Sequence, residues 1–222
     1  MYKMIINKEN VCLISTSVQN NNISLKRRQN IKQEMLKYGI PIFFISGIIE
    51  KDKLFFEIFR NRALAFKKTN LSYGILCDDD FHPHSNFLEE LNKTVELLPK
   101  NWRCLHLCPG YLWGRKFRTC TEAGDLKPEG DISDLTYHSS KRFFIDCGSG
   151  IMNEKNIWLG GPIAVLVNKE GIDSLLADYV ECFRQNKIAN DVILTKILNN
   201  NDFICMSPML GYEREQGGVT TL

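Results

Sequence analysis

The chain alternates short unbroken apolar runs with longer stretches whose apolar residues recur every three or four positions, the pattern of buried strands separated by amphipathic helices. Val11 to Ser15 reads as a first strand. The stretch from Ile23 to Tyr38 predicts a helix with Ile31, Met35 and Tyr38 on one face, stopped by Gly39 and Pro41. Pro41 to Ser46 is a second strand, and from Asp52 a helix sets Phe55, Phe59, Ala63 and Phe66 on one stripe. The third strand, Leu71 to Cys77, stops abruptly in Asp78, Asp79 and Asp80. Asn86 and Glu89 then have capping-box spacing ahead of an apolar stripe, Phe87, Leu91, Val95 and Leu98, that ends at Pro99. Trp102 to Cys108 predicts a fourth strand terminated by Pro109-Gly110.

Residues 114–154 break this alternation, being rich in Gly, charged and hydroxyl residues with only Phe143-Phe-Ile strand-like. So long a connection in a compact domain predicts a binding loop or lid. Regular structure resumes with a strand at Ala164 to Val167 and a helix marked by Ile172, Leu175, Leu176, Tyr179 and Phe183. A last helix starts near Asn190 or Asp191, with Ile193, Leu194, Ile197 and Leu198 apolar, before a short strand at Phe203 to Met206. Strands and helices in alternation imply an α/β fold whose mostly parallel central sheet is flanked by helices. The 222 residues, 44% hydrophobic and 24% charged, suit one such domain spanning 1–222.

The acidic triplet is the feature with most chemistry in it. On an extended strand Asp78 and Asp80 would point one way and Asp79 the other, so two carboxylates could hold one hard cation. The simpler alternative is a solvated acidic turn, since Asp is common where strands end. Adjacent like charges repel, which favours a cation among them. His82 and His84 follow, and with Pro83 between them they read as exposed turn residues rather than ligands. Neither a G-x-x-x-x-G-K-[ST] loop nor a strand-associated G-x-G-x-x-G occurs, so the usual backbone cradles for phosphate are missing and a diphosphate would be held through a metal. In open α/β sheets ligands bind beyond the carboxyl ends of strands, where the triplet stands.

Other signals are weaker. Cys104, His106 and Cys108 form a C-x-H-x-C series that zinc would accept, opening the reading of a zinc-binding interaction module; structural zinc sites draw on turns with wider spacing, so core packing is the better account. Cys12, Cys77, Cys104, Cys108 and Cys205 lie in apolar runs and are expected as reduced, buried thiols. A net charge of +2 is too balanced to argue for nucleic acid. With neither a signal-peptide-like start nor an apolar stretch of about 18 residues, a soluble cytoplasmic protein is expected, peripheral attachment to a membrane being left open. Asp191, opening the last helix, is a candidate general base, or merely an acid favoured by the helix dipole.

Several of these segments resemble glycosyltransferases of the GT-A fold, most closely family 25. Tyr73-Gly-Ile-Leu-Cys-Asp-Asp-Asp80 is similar to that family's apolar strand ending in acidic residues, and Leu98-Pro-Lys-Asn-Trp102 to its LP-x-x-W segment, with Arg103 where an Asp is expected. Gly161 to Gly171 and Ile188 to Leu194 resemble two later segments, in the family's order. Leu13-Ile-Ser-Thr-Ser17 with Lys26-Arg-Arg28 resembles its first strand and arginine-bearing helix, while Phe59-Arg-Asn-Arg-Ala-Leu-Ala65 looks more like the A-R-N-x-A of family 2. The resemblance implies a Rossmann-like nucleotide-diphospho-sugar transferase fold and metal-dependent, inverting transfer of a hexose from a nucleotide sugar, a UDP-hexose by expectation, to a hydroxyl of a glycan, lipid-linked sugar or protein. It implies Mn²⁺ or Mg²⁺ held by Asp78 and Asp80, donor contacts from Thr16, Ser17, Arg28, Asn61, Asp78 and Asp79, and Asp191 as base. A carboxy-terminal His often completes such metal sites; here Glu213, Gln216 or water would serve. The alternatives are a nucleotide-sugar-binding protein without catalysis and a metal-dependent phosphoesterase.

Overall fold

The computed structural model describes residues 5–17, 22–46, 54–113, 117–118, 127–128, 143–146, 158–186, 193–194, 196–199, 201–207 and 210–213. The first half follows the apolar pattern closely. Strand β1 (Val11–Ser17) leads to helix α1 (Asn22–Leu36), strand β2 (Ile42–Ser46), helix α2 (Leu54–Lys67) and strand β3 (Tyr73–Cys77). Helix α1 ends where Gly39, at φ 66°, donates to the Leu36 carbonyl while Ile40 donates to that of Met35. Glycine adopts that left-handed turn without a Cβ clash, and the two bonds satisfy carbonyls the helix leaves open.

After β3 come strand β4 (Phe81–Pro83), helix α3 (Phe87–Val95) and strand β5 (Cys104–Trp113). Asn86 is the N-cap of α3, but its side chain makes no capping hydrogen bond, so the expected capping box does not form. Strand β5 also runs on through Pro109-Gly110, where it was expected to stop. Register shifts around Cys108 and Pro109 admit the proline while pairing with a long partner continues. Short strands β6 (Phe117–Arg118), β7 (Lys127–Pro128) and β8 (Phe143–Asp146) fall in the region read as a loop or lid, most of which lies outside the described residues. Strand β9 (Trp158–Asn168) is far longer than the predicted Ala164 to Val167. A 3-10 turn (Lys169–Gly171) leads into helix α4 (Ile172–Asn186), and strands β10 (Asp202–Ser207) and β11 (Gly211–Glu213) follow.

The seven-stranded sheet has the order β2-β1-β3-β9-β5-β10-β8. Strands β2, β1, β3, β5 and β10 run one way, and β9 and β8 run against them. The expectation of a mostly parallel sheet flanked by helices holds, with one difference: antiparallel β9 inserts between β3 and β5. Apolar alternation reports burial, not direction, so the sequence could not reveal this. One core packs α2, α4 and Ile193, Leu194, Ile197 and Leu198 on one face. The other packs α1 and α3 on the opposite face, around Trp102, Phe87 and Met35.

Gly74 governs how closely α2 can lie on β3. A Cβ there would stand 2.6 Å from the Phe66 ring, so only glycine admits this packing. Arg62, one helical turn before Phe66, is thereby brought towards the end of β3 where the aspartates begin.

Candidate functional site

At the carboxyl ends of β1 and β3, which pair side by side with Ser15 opposite Cys77, Thr16, Ser17 and the triplet come together. The chain leaves the sheet at Cys77, and Asp78 to Asp80 form a turn in which the Phe81 N–H approaches the Asp78 carbonyl at 3.4 Å. This differs from the strand-like alternation expected, and the carboxylates separate differently as a result. Asp78 Oδ1 accepts from Arg62 Nη2 at 2.6 Å. Asp79 Oδ2 accepts from Ser24 Oγ at 2.6 Å. Asp79 and Asp80 both approach Arg27 Nη1, each at 3.5 Å.

Among the described residues two guanidinium groups, of Arg62 and Arg27, thus face the three carboxylates. Arg62 and Arg27 are both buried, whereas the Asp78 side chain is 47% exposed. Burial pushes the Asp79 carboxyl above its ordinary value, against the hydrogen bond from Ser24 and the charge of Arg27. Burial likewise pushes the neighbouring Cys77 thiol well up, which makes it an unreactive core group. Arg62 Nε donates to Thr16 Oγ1 at 2.8 Å, so one guanidinium joins the ends of β1 and β3. Ser17 Oγ is buried with no hydrogen-bond partner among the described residues, an arrangement native proteins seldom leave without a ligand or water.

Not every expected residue joins this group. Arg28 is exposed and lies over the Phe44 ring at 4.5 Å; it is the preceding Arg27 that reaches the triplet. Asn61 is half-buried on α2, and the contact to Asp78 comes from its neighbour Arg62. Asp191 and Gln216 lie outside the described residues. The register of β11 on β4 sets Glu213 opposite Phe81, the residue after the triplet, and Tyr212 opposite His82. His82 and His84 are half-buried rather than exposed turn residues.

Sequence reasoning missed Ser24, Arg27 and Arg62, and a signal for them existed. Arg62 shares the stripe of Phe59, Ala63 and Phe66, and Ser24 and Arg27 share that of Ile31 and Met35. A charged residue on an apolar stripe is buried, and a buried charge requires a partner.

Asp78 and Asp80 offer carboxylate oxygens, the ligand type a hard divalent cation takes, with one oxygen of each against an arginine and Asp78 open to solvent. Among the described residues no group of three or more His, Cys, Asp or Glu is arranged to hold a metal ion, so water and phosphate oxygens would complete the shell. The C-x-H-x-C series is no such centre in its described part. Cys104 is buried in the core and donates to Asp202 Oδ1 at 3.3 Å, and His106 is fully buried without a hydrogen-bond partner. Cys12, Cys77 and Cys104 are buried outside any disulfide, as expected, burial pushing the Cys12 thiol up to about 11.

No family model matches the sequence, and no curated protein matches it. Among solved structures the chain is similar to a glycosyltransferase involved in the glycosylation of the major capsid of PBCV-1. The identity is 10% and the TM-score 0.43, over 79% of this chain and 67% of that one. At that distance the likeness decides nothing about donor, metal or acceptor. Among the described residues no helix is long and apolar enough to cross a membrane.

Proposed function

We propose that this protein is a metal-dependent glycosyltransferase that moves a hexose from a nucleotide sugar, a UDP-hexose in the first instance, to a hydroxyl of a glycan, lipid-linked sugar or protein. The observation that carries the reading is the convergence, at the carboxyl ends of adjacent parallel strands, of an aspartate cluster, with Asp78 half-exposed and Asp79 and Asp80 largely buried, and the Thr16 and Ser17 side chains. Asp78 and Asp80 hold Mn²⁺ or Mg²⁺, which when bound neutralises charge developing on the departing diphosphate. Ser17 offers its unpaired hydroxyl to the donor, and Thr16 lies beside it. Asp79, tied to Ser24 and Arg27, holds the turn in place.

Transfer is a direct displacement. The acceptor oxygen forms a bond to the anomeric carbon, the bond from that carbon to the diphosphate oxygen breaks with its electron pair leaving on UDP, and the acceptor proton passes to a carboxylate. Asp191 is assigned that proton by its place in the sequence. Asp80→Ala is expected to abolish Mn²⁺-stimulated release of UDP from a panel of UDP-hexoses, with the circular dichroism spectrum unchanged. Full activity in the variant would refute the metal assignment; UDP binding without turnover in the native chain would instead mark a donor-binding protein.

A further inference from the structure

The Arg62 side chain touches both strand ends at the site. Its guanidinium is buried and gives Nε to Thr16 Oγ1 at 2.8 Å and Nη2 to Asp78 Oδ1 at 2.6 Å. A guanidinium is planar, so these donors have a fixed spacing and a fixed relative direction. Holding both acceptors at once restrains the Asp78 carboxylate, with Oδ1 committed to the protein. The helix that carries Arg62 is itself held close to β3 by the Gly74 contact with Phe66, so the orientation is transmitted from the core and not from a mobile surface chain.

Resting on the donor-metal reading above, we propose that Arg62 is a positioning residue: it orients Asp78 towards the cation and couples that carboxylate to the nucleotide-side hydroxyl of Thr16. Lysine cannot replace it, because one ammonium lacks the two-donor fork. Partners that orient metal ligands typically account for about 10- to 100-fold in metal affinity. Arg62 does so without contacting the cation.

Mn²⁺ titration followed by electron paramagnetic resonance, in the presence of UDP, tests this on the full chain. Arg62→Lys is expected to weaken Mn²⁺ binding at least about 10-fold, by the same reasoning. In an Asp78→Asn background the same substitution is expected to have no further effect, because its action passes through Asp78; independent effects would add. Thr16→Val gives a milder loss with the same dependence on Asp78, and keeps the question answerable if Arg62→Lys fails to fold. Native affinity in both variants, or losses that add to that of Asp78→Asn, would overturn the positioning role while leaving the metal site standing. Absence of Mn²⁺ binding by the native chain would overturn the metal reading and this inference with it.

Discussion

The two edges of the sheet carry the same kinds of side chain and use them differently. At the amino edge Arg103 precedes β5, and Asp202 opens the adjacent β10. Arg103 Nε and Nη2 donate to Asp202 Oδ1 and Oδ2 at 3.0 and 2.6 Å, its Nη1 bonds Ser174 and Asp178, and Nη2 also reaches the Ile197 carbonyl. The Asn199 N–H and the Cys104 thiol supply two more donors to Asp202, whose side chain is 0% exposed. Burial acts to lower the Arg103 pKa, but the hydrogen bonds and charges of Asp202 and Asp178 raise it above its ordinary value. At this edge Asp202 has both oxygens filled, while the Asp178 side chain is left 44% exposed. At the carboxyl edge Asp78 is exposed to a similar degree, Arg27 stands 3.5 Å from each of its two aspartates, and Ser17 Oγ is buried with no hydrogen-bond partner among the described residues. Arginine with aspartate is therefore no signature of function; what differs between the two edges is how far the hydrogen-bonding capacity of Asp202 and of Asp78 is filled.

The sharpest break of this comparison is Asp202→Ala. It strands the buried Arg103 charge and is expected to cost about 3–5 kcal/mol of stability in urea unfolding. A loss below about 1 kcal/mol, the range of surface pairs, would show the amino edge to be no more structural than the other.

A smaller effect concerns His106, which lies in β5 between the two edges. Burial pushes its imidazole down to about 3, while in the unfolded chain it titrates near the ordinary 6.5. Above pH 6.5 neither state binds the proton; as the pH falls from 6.5 towards 3 only the unfolded state does, so stability falls with it. The slope is at most about 1.4 kcal/mol per pH unit, and unfolding measured across that window should show His106→Leu without it. An unchanged slope in the variant would mean that the acid sensitivity belongs to the carboxylates of the edges.

The smallest expected change is at the open edge. Asp78→Asn keeps an acceptor for Arg62 at a half-exposed position, so its effect on the urea midpoint should correspond to less than about 1 kcal/mol. A cost comparable to that of Asp202→Ala would erase the distinction between the edges.

Much of the fold was legible because burial leaves a periodic trace. The stripes of α1, α2, α3 and α4, the runs of β1 and β3 and the stop at Gly39 all follow from side chains that must leave water and from a backbone turn that glycine permits. The direction of β9 left no such trace, since a strand buried on both faces has the same composition whichever way it runs. Nor did the extension of β5 past Pro109, which depends on a bulge and a long partner. At the site, the aspartates and the strand-end hydroxyls were visible as residues out of keeping with the runs they terminate. Arg27 and Arg62 were visible only as charges on apolar stripes, and nothing local named their partners.

By itself, then, the sequence determined that an α/β sheet would form and that a cluster of carboxylates would stand at the end of its third strand, because both follow from alternation and from the identity of adjacent residues. Only the tertiary structure decided which charges face one another. Arg62 meets Asp78 and Thr16 across 16 and 46 residues of chain, and Arg103 meets Asp202 across 99. Such pairings are set by how helices settle on a sheet, at a distance fixed by contacts such as Phe66 on Gly74, and no local pattern encodes them.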